Sequence, residues 1–267
     1  MQEFAYHRPS TVAQAADILR NMSNAKLLAG GMTLIPTMKQ RLDSPAHLVD
    51  LMAVKELSGI SMQGDRLVVG AMTRHGEVAR SLKVREVIPV LSALAEGIGD
   101  PHVRNRGTIG GSIANNDPAA DYPAAVLGLD ATIHTNRRSI KASEFFVGLL
   151  ATSLNDGEVI TAISFPRPDR ACYKKFAQPA SRFALTGVMV SQFGKDIRVA
   201  VTGAGPCVFR CTELEIALRK SFTRASIESV QVPSVGLLND MHGSALYRAH
   251  LVSVMANRAV DGCLHVL

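Results

Sequence analysis

The sequence predicts an α+β protein in which two N-terminal lobes flank a cleft and a C-terminal domain combines an antiparallel sheet with helices. Three observations favour this fold class. Short apolar runs alternate with helical patterns up to about residue 171, each N-terminal lobe carries one Gly-Gly pair, and long strand-like runs begin at Cys172. We place the boundaries at 1–57 for the first lobe, 58–171 for the second lobe and 172–267 for the C-terminal domain.

In the first lobe, helical spacing of apolar residues in TVAQAADILRNM predicts a helix that Ser10 or Thr11 caps. A short buried strand at 26–29 follows and runs into a Gly-Gly pair. The segment 33–42 then predicts a short helix, and AHLVDL predicts a further strand. Together these elements form a small βαβ-like unit.

In the second lobe, SGISMQGDRLVVGAMT reads as a hairpin that turns at Gln63-Gly64-Asp65. Thr73 is positioned to cap a helix that runs to Leu82, and 84–97 has helical spacing throughout. We expect the glycines of GTIGGSIAN to interrupt regular structure before a helix at 118–129. A hairpin in ATIHTNRRSIKA and a strand in EVITAISFP complete this lobe.

The C-terminal domain begins with three strand-like runs, CYKKFAQ, LTGVMVSQF and DIRVAVTGAG, which predict a three-stranded antiparallel sheet. Helices are expected at 212–220, near 222–229, and at 244–260.

Composition and charge exclude several classes of function. The net charge of +6 comes from scattered basic residues without a basic stripe or interleaved aromatic residues, so we expect no nucleic-acid partner. The longest apolar runs fall far short of about 20 residues, so we expect no membrane span. The N-terminus lacks the pattern of a secretory signal, which favours a cytoplasmic protein. The four cysteines match no metal-ligand pair, and we expect no metal site.

The two Gly-Gly pairs are the strongest candidate site. Gly30-Gly31 lies between a strand and a helix, where bare N–H groups close around phosphate oxygens, although a tight turn alone also explains it. Gly110-Gly111 follows Thr108, and Asp121 lies ten residues further on, suited either to a ribose hydroxyl or to capping. One pair in each lobe suggests a single extended, phosphate-bearing ligand between the lobes.

Four segments carry a family resemblance. KLLAGGMTLIPTMKQRL and TIGGSIANNDPAADYPA resemble the two flavin-binding segments of the FAD-binding medium subunits of molybdenum hydroxylases, of the carbon monoxide dehydrogenase and xanthine dehydrogenase types. GAGPCVFRCTELE and HGSALYRAHLVSVMANRA resemble the C-terminal domain of the same subunits. The resemblance covers essentially the whole chain. It implies the vanillyl-alcohol-oxidase (PCMH) type of FAD-binding fold.

The resemblance also implies one non-covalently bound FAD and no catalytic acid or base. The implied cofactor-binding residues are Leu27, Leu28, Ala29, Gly30, Gly31, Met32, Thr33, Leu34, Ile98, Gly99, Thr108, Ile109, Gly110, Gly111, Ser112, Asp121 and Ile160. Met32-Thr33 replaces the His-Ser of many relatives, which keeps a hydroxyl and loses a histidine. Lys174, Lys175 and Gln178 all compete for the place of a lysine that some relatives use.

By the same resemblance, the chain is an oxidoreductase subunit that passes electrons through FAD to a quinone, NAD or oxygen. The electrons come from two [2Fe–2S] clusters in a small subunit, and the substrate reacts at a molybdenum cofactor in a large subunit. We expect a dimer of such three-subunit units. Two alternatives stay open: an independent FAD-dependent oxidoreductase with its own organic substrate, and an assembly subunit that has lost its flavin.

Overall fold

The computed structural model describes residues 1–265, and its first sheet is parallel. The chain forms β1 (Ala5–His7), α1 (Val12–Asn21), β2 (Ala25–Leu28), α2 (Leu34–Lys39) and β3 (His47–Asp50). The strands lie in the order β1-β3-β2, with both pairs parallel. Thr11 caps α1, since its hydroxyl accepts from the backbone N–H of Gln14. The predicted βαβ-like unit is confirmed.

The second sheet is antiparallel and carries most of the helices. Its strands are β4 (Ile60–Gln63), β5 (Arg66–Gly70), β6 (Thr132–Thr135), β7 (Ser139–Lys141) and β10 (Ile160–Pro166), in the order β4-β5-β10-β6-β7. Between them come α3 (His75–Arg80), α4 (Leu82–Val87), α5 (Pro89–Glu96), α6 (Pro101–Arg106), α7 (Ile109–Asn115), α8 (Tyr122–Gly128) and α9 (Ala142–Phe145). A separate hairpin joins β8 (Phe146–Gly148) to β9 (Ala151–Thr152).

The third sheet is antiparallel, with the order β11-β12-β13-β14. Its strands are β11 (Arg170–Ala177), β12 (Ala184–Phe193), β13 (Asp196–Thr202) and β14 (Phe209–Arg210). Two helices follow, α10 (Thr212–Lys220) and the long α11 (Ala245–His265), which packs on β11 and β12. The predicted three-stranded sheet is confirmed and gains one short edge strand. None of the helices within residues 1–265 combines the length and the apolar character that a membrane crossing requires.

The largest core joins the second sheet to the third. It surrounds buried aromatic residues such as Tyr122 and Phe165, and it also includes Met189 of β12 and Ala200 of β13. Helix α8 lies between the two sheets and packs against β12 and β13. Separate clusters fill the space under α11 and the space inside the first lobe. The residues on either side of α8 are therefore held by one continuous apolar core.

Two helix predictions in the second lobe are wrong at their ends. Thr73 caps no helix, because its hydroxyl exchanges hydrogen bonds with the backbone of Gly59, and α3 begins after Arg74. The predicted helix at 84–97 is two helices. Proline has no N–H to donate and disfavours a helical residue before it, so Pro89 starts a new helix after an extended Ile88.

The expectation that GTIGGSIAN interrupts regular structure is also wrong. The segment forms α7, and the Thr108 hydroxyl accepts from the Gly111 N–H at the first turn (3.1 Å). Glycine lowers helix propensity, but here close packing requires it. A Cβ at Gly110 would lie 2.6 Å from the Ala71 Cβ. Tertiary contact thus decides the structure of this segment.

Two smaller predictions are also wrong in detail. Helix α8 starts at Tyr122 instead of Pro118, and 222–229 forms only a short 3₁₀ turn.

Candidate functional site

The two Gly-Gly segments lie in direct contact with each other. A Cβ at Gly30 would overlap the carbonyl oxygen of Arg106 and lie 2.7 Å from the Cα of Gly107. A Cβ at Gly111 would come within 3.3 Å of the Ala29 Cβ. A side chain at Gly30 or Gly111 would therefore hinder the packing of the first lobe against the second. The expected ligand between the lobes remains a prediction, and this contact is by itself a reason for residue 30 to be glycine.

The first segment has unused hydrogen-bond donors. Among residues 1–265, no protein atom accepts a hydrogen bond from the backbone N–H groups of Gly30 to Thr33. These residues are half-buried or exposed, so a ligand can reach the N–H groups. Gly31 adopts a φ of +74°, which turns the chain sharply after β2. Consecutive free N–H groups in a turn form a concave anion site. This donor set fits the diphosphate of a dinucleotide cofactor such as FAD.

The second segment is different, because its N–H groups are already donated to the protein. Gly110 donates to the Ala71 carbonyl (2.8 Å), Gly111 to the Thr108 hydroxyl (3.1 Å) and Ile109 to the Thr73 carbonyl (3.1 Å). The expectation that both Gly-Gly pairs cradle phosphate with their N–H groups is therefore wrong for this pair. The predicted cofactor contacts of residues 108–112 remain a prediction. Atoms other than the N–H groups of residues 109–111 would have to make those contacts.

A cavity of about 250 Å³ lies where the two segments meet. An antiparallel bridge pairs Arg74 with Thr108, and residues directly opposite in such a bridge project to the same face. Both residues line this cavity. The lining residues are Ala29, Gly30, Met52, Ser58, Met72, Arg74, Glu77, Arg106 and Thr108. The cavity thus combines the start of the free N–H segment with two arginine residues that the sequence motifs do not single out.

Asp121 is buried, and each of its carboxylate oxygens has a hydrogen-bond partner within the protein. Its two carboxylate oxygens accept from the Tyr173 hydroxyl (2.6 Å) and the Lys175 ammonium (3.0 Å). Burial raises the pKa of the Asp121 carboxyl, while Lys175 and Tyr173 act in the opposite direction. The predicted contact with a ribose hydroxyl remains a prediction and has to share the carboxylate with these partners. Among the three competing residues, Lys175 is the one joined to Asp121.

The predicted flavin-side residues Ile98 and Gly99 lie at the junction of the second and third sheets. Their carbonyl oxygens accept from Arg104 at 3.0 and 2.9 Å, and Lys175 donates to the neighbouring Gly97 carbonyl at 2.9 Å. This lysine thus links Gly97, the residue before Ile98, to Asp121. Ile160 is different, since its side chain is 6% exposed and belongs to the main core.

His75 is buried beneath the second glycine segment. Its backbone N–H donates to the Gly107 carbonyl (2.9 Å), and its ring packs on Tyr122 with centroids 5.3 Å apart. Burial, helped by the nearby Arg104 charge, lowers the pKa of His75 from 6.5 to about 4. The structure thus places a buried side chain at a helix start, and its lowered pKa favours the neutral form at pH 7.

Family comparison agrees with this geometry. Residues 2–168 match the family described as the FAD binding domain in molybdopterin dehydrogenase. The carbon monoxide dehydrogenase medium chain of Hydrogenophaga pseudoflava is 34% identical, with 97% of this chain and 96% of that protein covered. The nicotine 6-hydroxylase medium subunit of Paenarthrobacter nicotinovorans is also 34% identical, with 96% and 95% covered.

Solved structures show the same fold. A carbon monoxide dehydrogenase from Hydrogenophaga pseudoflava that lacks the Mo-pyranopterin moiety of its cofactor superposes with a TM-score of 0.90 at 33% identity, covering 98% of both chains. Quinoline 2-oxidoreductase from Pseudomonas putida 86 gives 0.89 at 28% identity, covering 98% of this chain and 97% of that chain. The predicted α+β, FAD-binding fold and the oxidoreductase class are confirmed. This chain therefore belongs to the family of FAD-binding domains of molybdopterin dehydrogenases, as an FAD-binding subunit of the medium-chain type.

Proposed function

We propose that this chain is the electron-exit subunit of a molybdenum-containing hydroxylase or dehydrogenase. It would take electrons from the [2Fe–2S] clusters of a small partner subunit and release them to an external acceptor, which is a quinone, NAD or oxygen. Substrate would react at the molybdenum cofactor of a large subunit. When bound, FAD supplies both two-electron and one-electron chemistry, while the protein supplies position and electrostatics.

The observation that carries this proposal is the run of free N–H groups from Gly30 to Thr33 beside a cavity between two lobes. Such a site holds a dinucleotide by its diphosphate and leaves the flavin to lie further along the cleft. Residues 98–99 and the Asp121–Lys175 pair would then lie near the flavin. The relatives are named medium chains or medium subunits, which supports a chain that works inside a larger complex.

The first test is flavin content. The purified protein should release about one FAD per chain on acid or heat denaturation, because no covalent attachment motif is present in the sequence. Free FAD in the supernatant supports the proposal. Flavin that stays on the denatured polypeptide, or FMN in its place, contradicts the proposed binding mode, and a colourless protein that takes up no FAD identifies an assembly subunit without flavin.

The second test is the source of electrons. A chemically reduced [2Fe–2S] partner subunit should reduce the bound flavin within one turnover under anaerobic conditions. An unrelated reduced ferredoxin of similar potential is the control for non-specific electron transfer. Equal rates with both donors would contradict a dedicated relay, whereas a fast reaction with the partner alone supports it.

A further inference from the structure

We propose that Arg74 and Arg106 are additional FAD-binding residues, whose guanidinium groups hold the diphosphate of the cofactor beside Gly30. This inference rests on the FAD site proposed above and extends it to side chains outside the two glycine segments. It follows from where these arginines lie, what they contact and what charge the cavity contains.

The position of both arginines is fixed by the backbone. Arg74 is held opposite Thr108 by the antiparallel bridge, which directs its side chain to the face that Thr108 occupies. Arg106 contributes its carbonyl oxygen to the close contact with Gly30, so its Cα is locked against the first glycine segment. Both residues line the cavity of about 250 Å³. The same contacts that join the two lobes thus place two arginine residues beside the start of the free N–H run.

Neither guanidinium has a polar partner in the part of the chain that the structure describes. Among residues 1–265, neither Arg74 nor Arg106 forms a side-chain ion pair or hydrogen bond, and both are exposed. The nearby Arg104 is occupied, since it donates to the Ile98 and Gly99 carbonyls. Two cations that line one cavity repel each other, and an anion bound between them offsets that repulsion.

One carboxylate also lines the cavity and has to be considered. Glu77 accepts a hydrogen bond from the backbone N–H of Arg74 (2.8 Å), which holds it at the first turn of α3. His75 adds no charge above its lowered pKa of about 4. The charged residues that line the cavity, two arginines and one glutamate, therefore carry a net positive charge. The arginines and the free N–H groups together complement a diphosphate, which carries two negative charges. Guanidinium groups bind phosphate oxygens in pairs of parallel hydrogen bonds.

The test is FAD binding by the flavin-free chain carrying Arg74→Gln, Arg106→Gln or both. Each single change should raise the Kd for FAD about tenfold, and the double change about a hundredfold. The dependence of Kd on salt should weaken in parallel, because fewer charges meet the phosphates. Arg74→Lys and Arg106→Lys should recover part of the affinity and most of the salt dependence. The control is Arg80→Gln, which removes the same charge from α3 without lining the cavity.

Three results would overturn the inference. Unchanged FAD affinity in the double variant would do so while leaving the proposed function intact. An equal loss in Arg80→Gln would show a general charge effect. A lowered unfolding midpoint of the flavin-free double variant, with no recovery in the lysine variants, would show that the arginines hold the lobes together and do not contact the cofactor. A wild-type chain that binds no FAD would instead overturn the proposed function itself.

Discussion

At the scale of single residues, the close contact between Gly30 and the Arg106–Gly107 backbone joins the two lobes at the proposed cofactor site. Backbone atoms cannot move aside as a flexible side chain can, so even one added methyl group has to separate the two segments. That contact also sets the distance between the free N–H run and the cavity. A small change at this glycine therefore probes the site directly.

We predict that Gly30→Ala raises the Kd for FAD about tenfold or more, because its Cβ overlaps the Arg106 carbonyl. The measurement is equilibrium titration of the flavin-free chain with FAD. Gly148→Ala is the matched control, since a Cβ there meets nothing within 4 Å. Normal FAD affinity in Gly30→Ala would show that the two segments do not need this contact.

His75 gives a prediction about pH. Its pKa in the folded chain, about 4, lies below the ordinary value of 6.5, so the unfolded chain takes up the proton first as the pH falls. Stability should therefore be unaffected by this residue above pH 6.5 and should fall by about 3 kcal/mol between pH 6.5 and pH 4. Denaturant unfolding of the wild type and of His75→Gln at several pH values measures the effect.

The difference between the two proteins isolates His75 from other titrating groups. Glu158, whose pKa is lowered to about 2 mainly by the Arg138 hydrogen bond, contributes stability that is present above about pH 4.5 and is lost as the pH falls towards 2. Its effect therefore overlaps the window of His75 only between about pH 4.5 and pH 4. Equal slopes for wild type and His75→Gln between pH 6.5 and 4 would contradict a buried, neutral histidine.

At the scale of elements, the Asp121–Tyr173–Lys175 cluster ties the start of α8 to β11. We predict that Asp121→Asn destabilises the flavin-free chain by about 3 kcal/mol, because it leaves the half-buried Lys175 ammonium without its counter-charge. Tyr173→Phe should cost about 2 kcal/mol, the value of one hydrogen bond to a charged group. Denaturant unfolding without FAD measures both. If Asp121 served only to bind the cofactor, neither change would alter the stability of the flavin-free chain.

Local signals in the sequence predict elements well where one local rule decides the structure. The hairpin of β4 and β5 follows from its alternating strands and the turn at Gln63-Gly64-Asp65. The predictions for Thr73 and GTIGGSIAN are wrong because distant contacts decide them. Thr73 bonds to Gly59, and Gly110 packs on Ala71. Neither partner can be identified from spacing along the chain.

The same limit applies to the candidate site. Gly30 and Gly31 are recognisable because a strand, two glycines and a helix occur in order. Arg74 and Arg106 cannot be recognised in this way. Only the bridge between Arg74 and Thr108 and the contact at Gly30 bring them to one cavity. The predicted list of contacts around Ile98, Asp121 and Ile160 came from family resemblance, and those contacts remain predictions.

At the scale of the whole molecule, the family match ends at residue 168, but the packing does not. The Thr202 hydroxyl donates to the carbonyls of Pro118 and Ala120, and α8 packs on the third sheet. We predict that a chain ending at residue 168 fails to fold stably, because it exposes the face of α8 that β12 and β13 cover. The predicted domain boundary at 171 would then separate structural units that do not fold independently.

Circular dichroism and denaturant unfolding of the shortened chain test this prediction. The full-length chain is the control, and we expect it to unfold with one cooperative transition for the second and third sheets, since they share a core. Cooperative unfolding of the shortened chain at the same midpoint would contradict the shared core.

The central claim, that this chain passes electrons onward and does not oxidise the substrate itself, is tested most directly by single-turnover bleaching of its flavin. The chain is mixed anaerobically with the organic substrate of the complex, alone and after assembly with the molybdenum and [2Fe–2S] subunits. We predict slow or no bleaching for the chain alone and rapid bleaching in the assembled complex. Full-rate bleaching in the isolated chain would contradict the claim and establish an independent FAD-dependent oxidoreductase.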